Sequence, residues 1–157
     1  MKLIKIIFLF VLIAGGAIST QAQNKTVKKS FSKYKPPKLI TLLSTYKDSV
    51  MLNAGETENI IGMPLRIVDD KKNVYTISSY QFLYKKNVVT EEEETGKISA
   101  ATSIVSDRFR TTPLPERWIS KIREQLKKGE LLYFFDIIAK DAQGRVMYAP
   151  DLKITVL

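Results

Sequence analysis

The fold is decided near the end of the chain by residues 131–139, which read LLYFFDIIA. Aromatic and β-branched side chains at this density are typical of a β-strand. Residues 141–144 (DAQG) follow with the composition of a tight turn, whose glycine can adopt a positive φ. The chain returns through residues 145–148 and 152–156, and Pro150 between them indicates an edge position or a bulge. This region therefore predicts a C-terminal β-hairpin.

An amphipathic helix is predicted just before this hairpin, over about residues 115–128. Prolines precede it, Thr112 is a candidate cap, and Gly129 is a suitable C-terminal stop. Two sets of side chains alternate at helical spacing: apolar Trp118, Ile119, Ile122 and Leu126 on one side, and polar Lys121, Arg123, Gln125 and Lys127 on the other. We expect the apolar side, including Trp118, to be buried against a sheet.

The sequence before the helix reads mostly as short strands. Strand-like runs occur at residues 39–43, 49–52, 64–68 and 74–84. Turn-forming residues separate them at 53–55 and 69–73. Alternation in the longest run places Tyr80, Phe82 and Tyr84 on one face. Residues 39–157 are thus predicted to form a single, mainly β domain: an immunoglobulin-like β-sandwich with one helix before its C-terminal hairpin.

Four consecutive glutamates, residues 91–94, precede Thr95-Gly96. Adjacent carboxylates repel one another, so this segment is predicted to be a solvated loop. A calcium site is the alternative, but the spaced oxygen ligands of a calcium-binding loop are missing from the sequence.

The N-terminus has the pattern of a secretory signal peptide over residues 1–22. Lys2 and Lys5 precede an apolar run at residues 6–13, and small residues follow. Cleavage is predicted between Ala22 and Gln23. The apolar run is shorter than the roughly 20 residues that span a bilayer, so we expect no transmembrane anchor after cleavage.

Residues 23–38 form a basic, Lys-rich segment that ends at Pro36-Pro37. The lysines concerned are Lys25, Lys28, Lys29, Lys33, Lys35 and Lys38. This segment is predicted to be a linker, and the alternative is an electrostatic docking tail for an anionic surface. Residues 39–157 carry 17 basic and 16 acidic residues, a net charge of +1, so no nucleic-acid partner is predicted.

The composition excludes several classes of enzyme. The chain has no cysteine and no histidine, which rules out a Ser–His–Asp triad, a cysteine nucleophile and the usual zinc sites. The pattern S-x-x-K occurs at residues 30–33 and 44–47, without the companion motifs of the enzymes that use it. Asp136, Asp141 and Asp151 read as turn and edge residues. We expect no enzymatic activity, no catalytic or metal-binding residues and no cofactor.

The order of the C-terminal motifs resembles a known family. These motifs are Lys128-Gly129-Glu130, Leu132-Tyr133-Phe134, Asp136-Ile137, Asp141-Ala142-Gln143-Gly144-Arg145 and Ala149-Pro150-Asp151. In this order they resemble the C-terminal domain of the gliding-motility-associated protein GldM, over roughly residues 64–156. The resemblance implies an immunoglobulin-like sandwich in the periplasm of bacteria with a type IX secretion system, where the domain binds other envelope proteins.

The chain departs from the GldM pattern in having a cleavable signal, a basic segment and one such domain. We therefore expect an exported interaction module, periplasmic in preference to extracellular, whose partner is another envelope protein. The alternative is a periplasmic sandwich that binds glycans or small ligands, with Trp118 or the Tyr-rich strand faces as a stacking platform.

Overall fold

A computed structural model describes residues 34–157, and the compact unit within it spans Lys35–Leu157. The described chain is mainly β, with eight strands and two helices. In chain order the elements are β1 (Leu39–Leu43), β2 (Ser49–Leu52), α1 (Ala54–Ile60), β3 (Leu65–Asp69), β4 (Val74–Glu91), β5 (Ile98–Phe109), α2 (Glu116–Gln125), β6 (Leu131–Lys140), β7 (Val146–Ala149) and β8 (Leu152–Val156).

The strands form one curled, mixed sheet in the order β1-β3-β4-β6-β8-β2. β5 pairs with β4, and β7 pairs with β6. The pairs are antiparallel except β2 with β8. The long strand β4 joins the two halves, because its first residues pair with β3 and the rest with β6 and β5. This architecture confirms the predicted mainly β, sandwich-like fold.

The core lies on the concave side of the sheet. Tyr80, Phe82 and Tyr84 of β4 are at most 1% exposed, which confirms that they share the buried face. Phe134 of β6 packs on them, with its ring centroid 4.8 Å from that of Phe82. The period-two alternation of the sequence therefore predicted correctly which side chains of β4 face the core.

A short helix, α1, occupies the place of the turn predicted at residues 53–55, and that prediction was wrong. Asn53 is the N-cap, since its side chain accepts a hydrogen bond from the Glu56 amide at 2.8 Å. Asn is favoured both in turns and at N-caps, so the local signal did not separate the two. Burial of Thr57 and Ile60 holds the helix against the sheet.

Helix α2 is shorter than the predicted span of about 115–128. Pro115 is its N-cap residue, and the Thr112 hydroxyl instead accepts a hydrogen bond from the Leu65 amide at 2.6 Å. The helix ends early, and the Lys127 amide donates instead to the carboxylate of Glu130 at 3.1 Å. A helix ending at residue 128 would direct that amide to a backbone carbonyl.

The C-terminal hairpin is formed by β6 and β7, as predicted. The Asp141 carboxylate accepts the amides of Gln143 and Arg145, each at 2.9 Å, and Gly144 has a φ of 78°. Pro150 interrupts the returning chain, so β7 and β8 pair with different parts of β6.

The basic segment enters the described structure at its end. Tyr34 to Lys38 have no regular secondary structure, and Lys35 and Lys38 are exposed. The predicted cleavage point Ala22–Gln23 and the remaining lysines of the candidate docking tail, Lys25, Lys28, Lys29 and Lys33, lie outside the described residues.

Candidate protein-interaction site

A long ribbon of two strands forms one side of the molecule. β5 pairs with β4 over its whole length, from Tyr80 opposite Phe109 to Glu91 opposite Ile98. β6 accompanies β4 only as far as Lys85, so residues 88–91 pair with β5 alone. The ribbon is closed by the acidic turn, where the Gly96 amide donates to the Glu92 carbonyl at 2.8 Å. The predicted solvated loop is thus the tip of this ribbon, with Glu91 as the last residue of β4.

The outer side of β5 has no partner strand among residues 34–157. Edge strands in native proteins are commonly protected by charged residues or proline, because their unpaired backbone groups can pair with another chain. From Ile98 to Ser106, β5 has neither a charged residue nor a proline. This edge is consequently open to strand addition.

A groove runs between β5 and α2 beside this free edge. Its cavity has a volume of about 360 Å³. Val105 and Asp107 line it from β5, Arg117, Trp118 and Lys121 line it from α2, and Tyr84 lies beneath. The groove therefore joins an apolar floor to a charged rim.

Trp118 forms the apolar wall of the groove. Its ring meets those of Phe82 and Phe109 edge-on, at centroid distances of 5.6 and 5.7 Å. The side chain is nevertheless only partly buried, unlike Ile119 and Ile122 on the same helix face. The expected burial of Trp118 is thus incomplete, because its position on α2 faces the margin of the sheet, where no further strand covers it.

The rim of the groove carries more positive than negative charge. Arg117 and Lys121 are one helical turn apart on α2, and Gln125 of the next turn accepts a hydrogen bond from Lys86 at 3.4 Å. Asp107 lies 4.0 Å from Arg117 and is the acidic side chain of the lining. Within residues 34–157, Lys121 forms no salt bridge, so its ammonium group is available to a ligand.

Tyr84 is held beneath the groove by a buried carboxylate. Its hydroxyl donates a hydrogen bond to Glu130, which is 1% exposed. Burial raises the pKa of Tyr84 well above its ordinary value, and the hydrogen bond to Glu130 is the second cause of the rise. The hydroxyl therefore stays neutral and fixed to Glu130.

The opposite face of the sheet carries a separate polar network. Asp136 accepts hydrogen bonds from Gln81 at 3.1 Å and from Arg108. Both hydrogen bonds lower the pKa of Asp136 below its ordinary value, and the one from Gln81 has the larger effect. Asp136 has a φ of 48° and lies where the register between β4 and β6 shifts. It was predicted to be a turn or edge residue, but it lies inside β6 at this irregularity.

The other two aspartates predicted as turn and edge residues, Asp141 and Asp151, also have structural partners. Asp141 binds Arg145 within the hairpin turn, with 2.6 Å between its carboxylate and the guanidinium Nε. Asp151 accepts the hydroxyl of Tyr133. Among the described residues, no group of three or more acidic side chains is arranged to hold a metal ion.

The sequence prediction missed β5, and with it the edge that defines this site. The strand is β-branched at Ile98, Thr102, Ile104 and Val105, and no glycine or proline interrupts the chain between Gly96 and Pro113. Those two signals favour a strand. Because both faces of β5 are largely exposed, the alternation of apolar and polar residues that marks a half-buried strand is absent.

No protein-family model matches the sequence, and no curated protein has significant similarity to it. In the described part of the chain, neither helix has the length and apolar character needed to cross a bilayer.

Proposed function

We propose that this protein is an exported, non-enzymatic interaction module of the bacterial envelope, which binds another envelope protein through the free edge of β5. The observation that carries the proposal is the unprotected stretch from Ile98 to Ser106. Main-chain groups along a free strand bind an extended segment of a second protein by continuing the sheet. Exposed Ile98 and Ile104, 68% and 59% accessible, add apolar contact area along the same strand.

The resemblance to the C-terminal domain of GldM supports a more specific role as an accessory of type IX secretion or gliding machinery. The sandwich-like fold, the helix before the last hairpin and the interrupted final strands agree with that resemblance. The predicted signal peptide favours an exported protein, and the resemblance favours the periplasm.

The test is an affinity pull-down of the mature protein, crosslinked in its native envelope and read by mass spectrometry. Two lysine variants make it specific: Ile104→Lys on β5 and Val146→Lys on β7, whose parent residues are 59% and 58% exposed. We expect wild type and Val146→Lys to recover the same discrete partner and Ile104→Lys to lose most of it. Recovery of background alone would contradict the proposal, and equal recovery by both variants would contradict binding at β5.

A second candidate function, glycan or small-ligand binding, is supported by the incomplete burial of Trp118 in the groove. A partly exposed indole beside polar groups can stack on a sugar ring. This function predicts saturable changes in tryptophan fluorescence with peptidoglycan fragments, and Trp118 is the one tryptophan in the chain. An emission spectrum that does not respond to these fragments would contradict it.

A further inference from the structure

We infer that the groove between β5 and α2 selects the segment bound at the edge: an extended peptide of another protein, with one apolar residue and a carboxylate two residues away on the same face. This inference rests on the proposed interaction function and adds the chemistry of the partner. It joins two features that lie side by side, the free edge of β5 and the lined cavity next to it.

The register of β5 fixes which of its side chains border the groove. Asp107, Val105 and Ser103 lie opposite Phe82, Tyr84 and Lys86 of β4. Directly opposed residues share a face of the sheet, and Phe82 and Tyr84 are buried, so these three β5 positions belong to the face covered by α2. A strand added to β5 would place every second side chain over the same face.

The middle of the groove fits an apolar side chain. Trp118 and Val105 form its walls and Tyr84 lies beneath, with the Tyr84 hydroxyl already engaged by Glu130. A cavity of about 360 Å³ is at the lower end of the range for small-molecule sites, about 300–1,000 Å³. This volume leaves ample room for an anchoring side chain, which an added strand would insert opposite Val105.

The charges beside this anchor favour an acidic neighbour. At one end of the groove Asp107 and Arg117 face each other at 4.0 Å. Toward the other end Lys121 has no acidic partner among the described residues, and Lys86 extends from β4 to Gln125 of α2. A carboxylate two residues from the anchor, opposite Ser103, would lie beside these two lysines.

The same charges argue against the two occupants that this chain itself offers. The segment at residues 23–38 is basic and would meet Lys86, Arg117 and Lys121 with like charge. A second copy of β5 would supply one carboxylate, Asp107, beside a Val105 anchor, but it would also bring its own Arg117 and Lys121 to the same face, where they meet this positive rim with like charge. A segment of a different protein is therefore the occupant that complements the groove.

The probe is a synthetic peptide, Thr-Glu-Thr-Leu-Thr-Glu-Thr with blocked ends. Its glutamates lie two residues before and two after the leucine, so one of them lies opposite Ser103 in either a parallel or an antiparallel orientation. Trp118, the one tryptophan, reports binding without a label. A peptide with lysine in place of both glutamates tests charge, and a peptide methylated at alternate backbone nitrogens tests strand addition.

We expect saturable binding of the glutamate peptide to the mature protein and no binding of the lysine or N-methylated peptides. Lys121→Glu should weaken the affinity about fivefold to tenfold, because an attraction becomes a repulsion at a partly solvated site. Lys128→Glu, an equal charge change at an exposed residue outside the lining, should leave the affinity unchanged. Both variants are at exposed positions and should keep the wild-type fluorescence spectrum without peptide.

No saturable response to the glutamate peptide, or equal binding of the N-methylated peptide, would overturn this inference. The pull-down with Ile104→Lys tests the proposed function without any peptide. A partner lost from Ile104→Lys together with a peptide that does not bind would leave the proposed function standing and refute the chemistry assigned to the groove.

Discussion

At the scale of single residues, the buried carboxylate of Glu130 joins the end of α2 to the sheet. Its carboxylate accepts the Tyr84 hydroxyl, the Asn87 amide at 3.0 Å and the Lys127 amide at 3.1 Å. These donors belong to β4 and to the segment after α2, so one buried carboxylate fixes the helix end to the sheet beneath the groove.

We predict that Glu130→Gln lowers the free energy of unfolding by about 1–3 kcal/mol, since an amide cannot accept all three donors and its own NH₂ group loses water. Urea denaturation measures this change. Glu124→Gln, at an exposed position of α2, is the control and should leave the stability unchanged. Equal stability of the two variants would show that the Glu130 carboxylate is not essential to the junction.

Asp69 controls the acid stability of the turn after β3. It is 5% exposed and accepts the Lys71 and Asn73 amides, each at 2.9 Å, and the Tyr75 hydroxyl at 3.0 Å. The Asn73 side chain, at 2.8 Å, is the largest of the contacts that hold the pKa of Asp69 below its ordinary value of 3.8.

We predict that Asp69→Asn is less stable than wild type near neutral pH, and that the difference shrinks as the pH falls below about 4. The sign follows from the lowered pKa: the folded state favours the charged carboxylate, so its stabilisation is complete above the unfolded-state pKa and is lost as the folded-state carboxylate is protonated. Urea denaturation across this pH range measures it, with exposed Asp70→Asn as the control. A difference that does not depend on pH would contradict the assignment.

At the scale of elements, burial decides what the sequence could predict. β6 and the buried half of β4 alternate between buried and less buried residues on each side of their shared irregularity, and α2 has the 3.6-residue spacing of a helix packed on a sheet. β5 has a single buried residue, Phe109, and so lacks the pattern. The candidate site lies between α2 and β5. The sequence therefore predicted the helix that lines it but not the strand.

The polar side of α2 shows the same limit. Lys121 was assigned to the side opposite Trp118, yet both line the groove. Residues three apart on a helix are neighbours, so a side chain at the margin of the apolar stripe can border the same cavity as a residue within it. Whether such a side chain lies beside the sheet or in solvent depends on where the edge of the sheet lies.

Two turns flanking β6 give a matched pair of glycine predictions. Gly129 and Gly144 have φ values of 83° and 78°, a region that favours glycine. A Cβ at Gly129 would lie 3.3 Å from the side-chain nitrogen Nδ2 of Asn87, whereas one at Gly144 would meet nothing within 4 Å. We expect Gly144→Ala to cost about 1 kcal/mol from backbone strain and Gly129→Ala to cost more.

The extra cost at Gly129 has a specific source. Displacing Asn87 would disturb its hydrogen bond to the Lys128 carbonyl, 3.1 Å long, beside the Glu130 junction. Urea denaturation of both variants measures the difference. Equal destabilisation would mean that Asn87 adjusts without cost and that backbone conformation alone decides.

At the scale of the whole molecule, the chain has no cysteine, so the described fold depends on its apolar core and its buried hydrogen bonds. That core begins at Leu39, which is 5% exposed, directly after exposed Lys38. We predict that removing residues 23–38 leaves the free energy of unfolding of the mature protein unchanged. A substantial loss of stability on urea denaturation would show that the domain extends into the basic segment.

The proposed function is itself a property of the whole molecule, since it needs the sheet to leave β5 uncovered and α2 to stop short of that edge. The most direct measurement is photo-crosslinking in the native envelope, with a photoreactive amino acid at Ile104 on β5 or, as the control, at Val146 on β7. We predict a covalent adduct with one envelope protein from position 104 and none from position 146. Adducts from position 146 alone, equal labelling from both positions, or no adduct from position 104 would contradict the account.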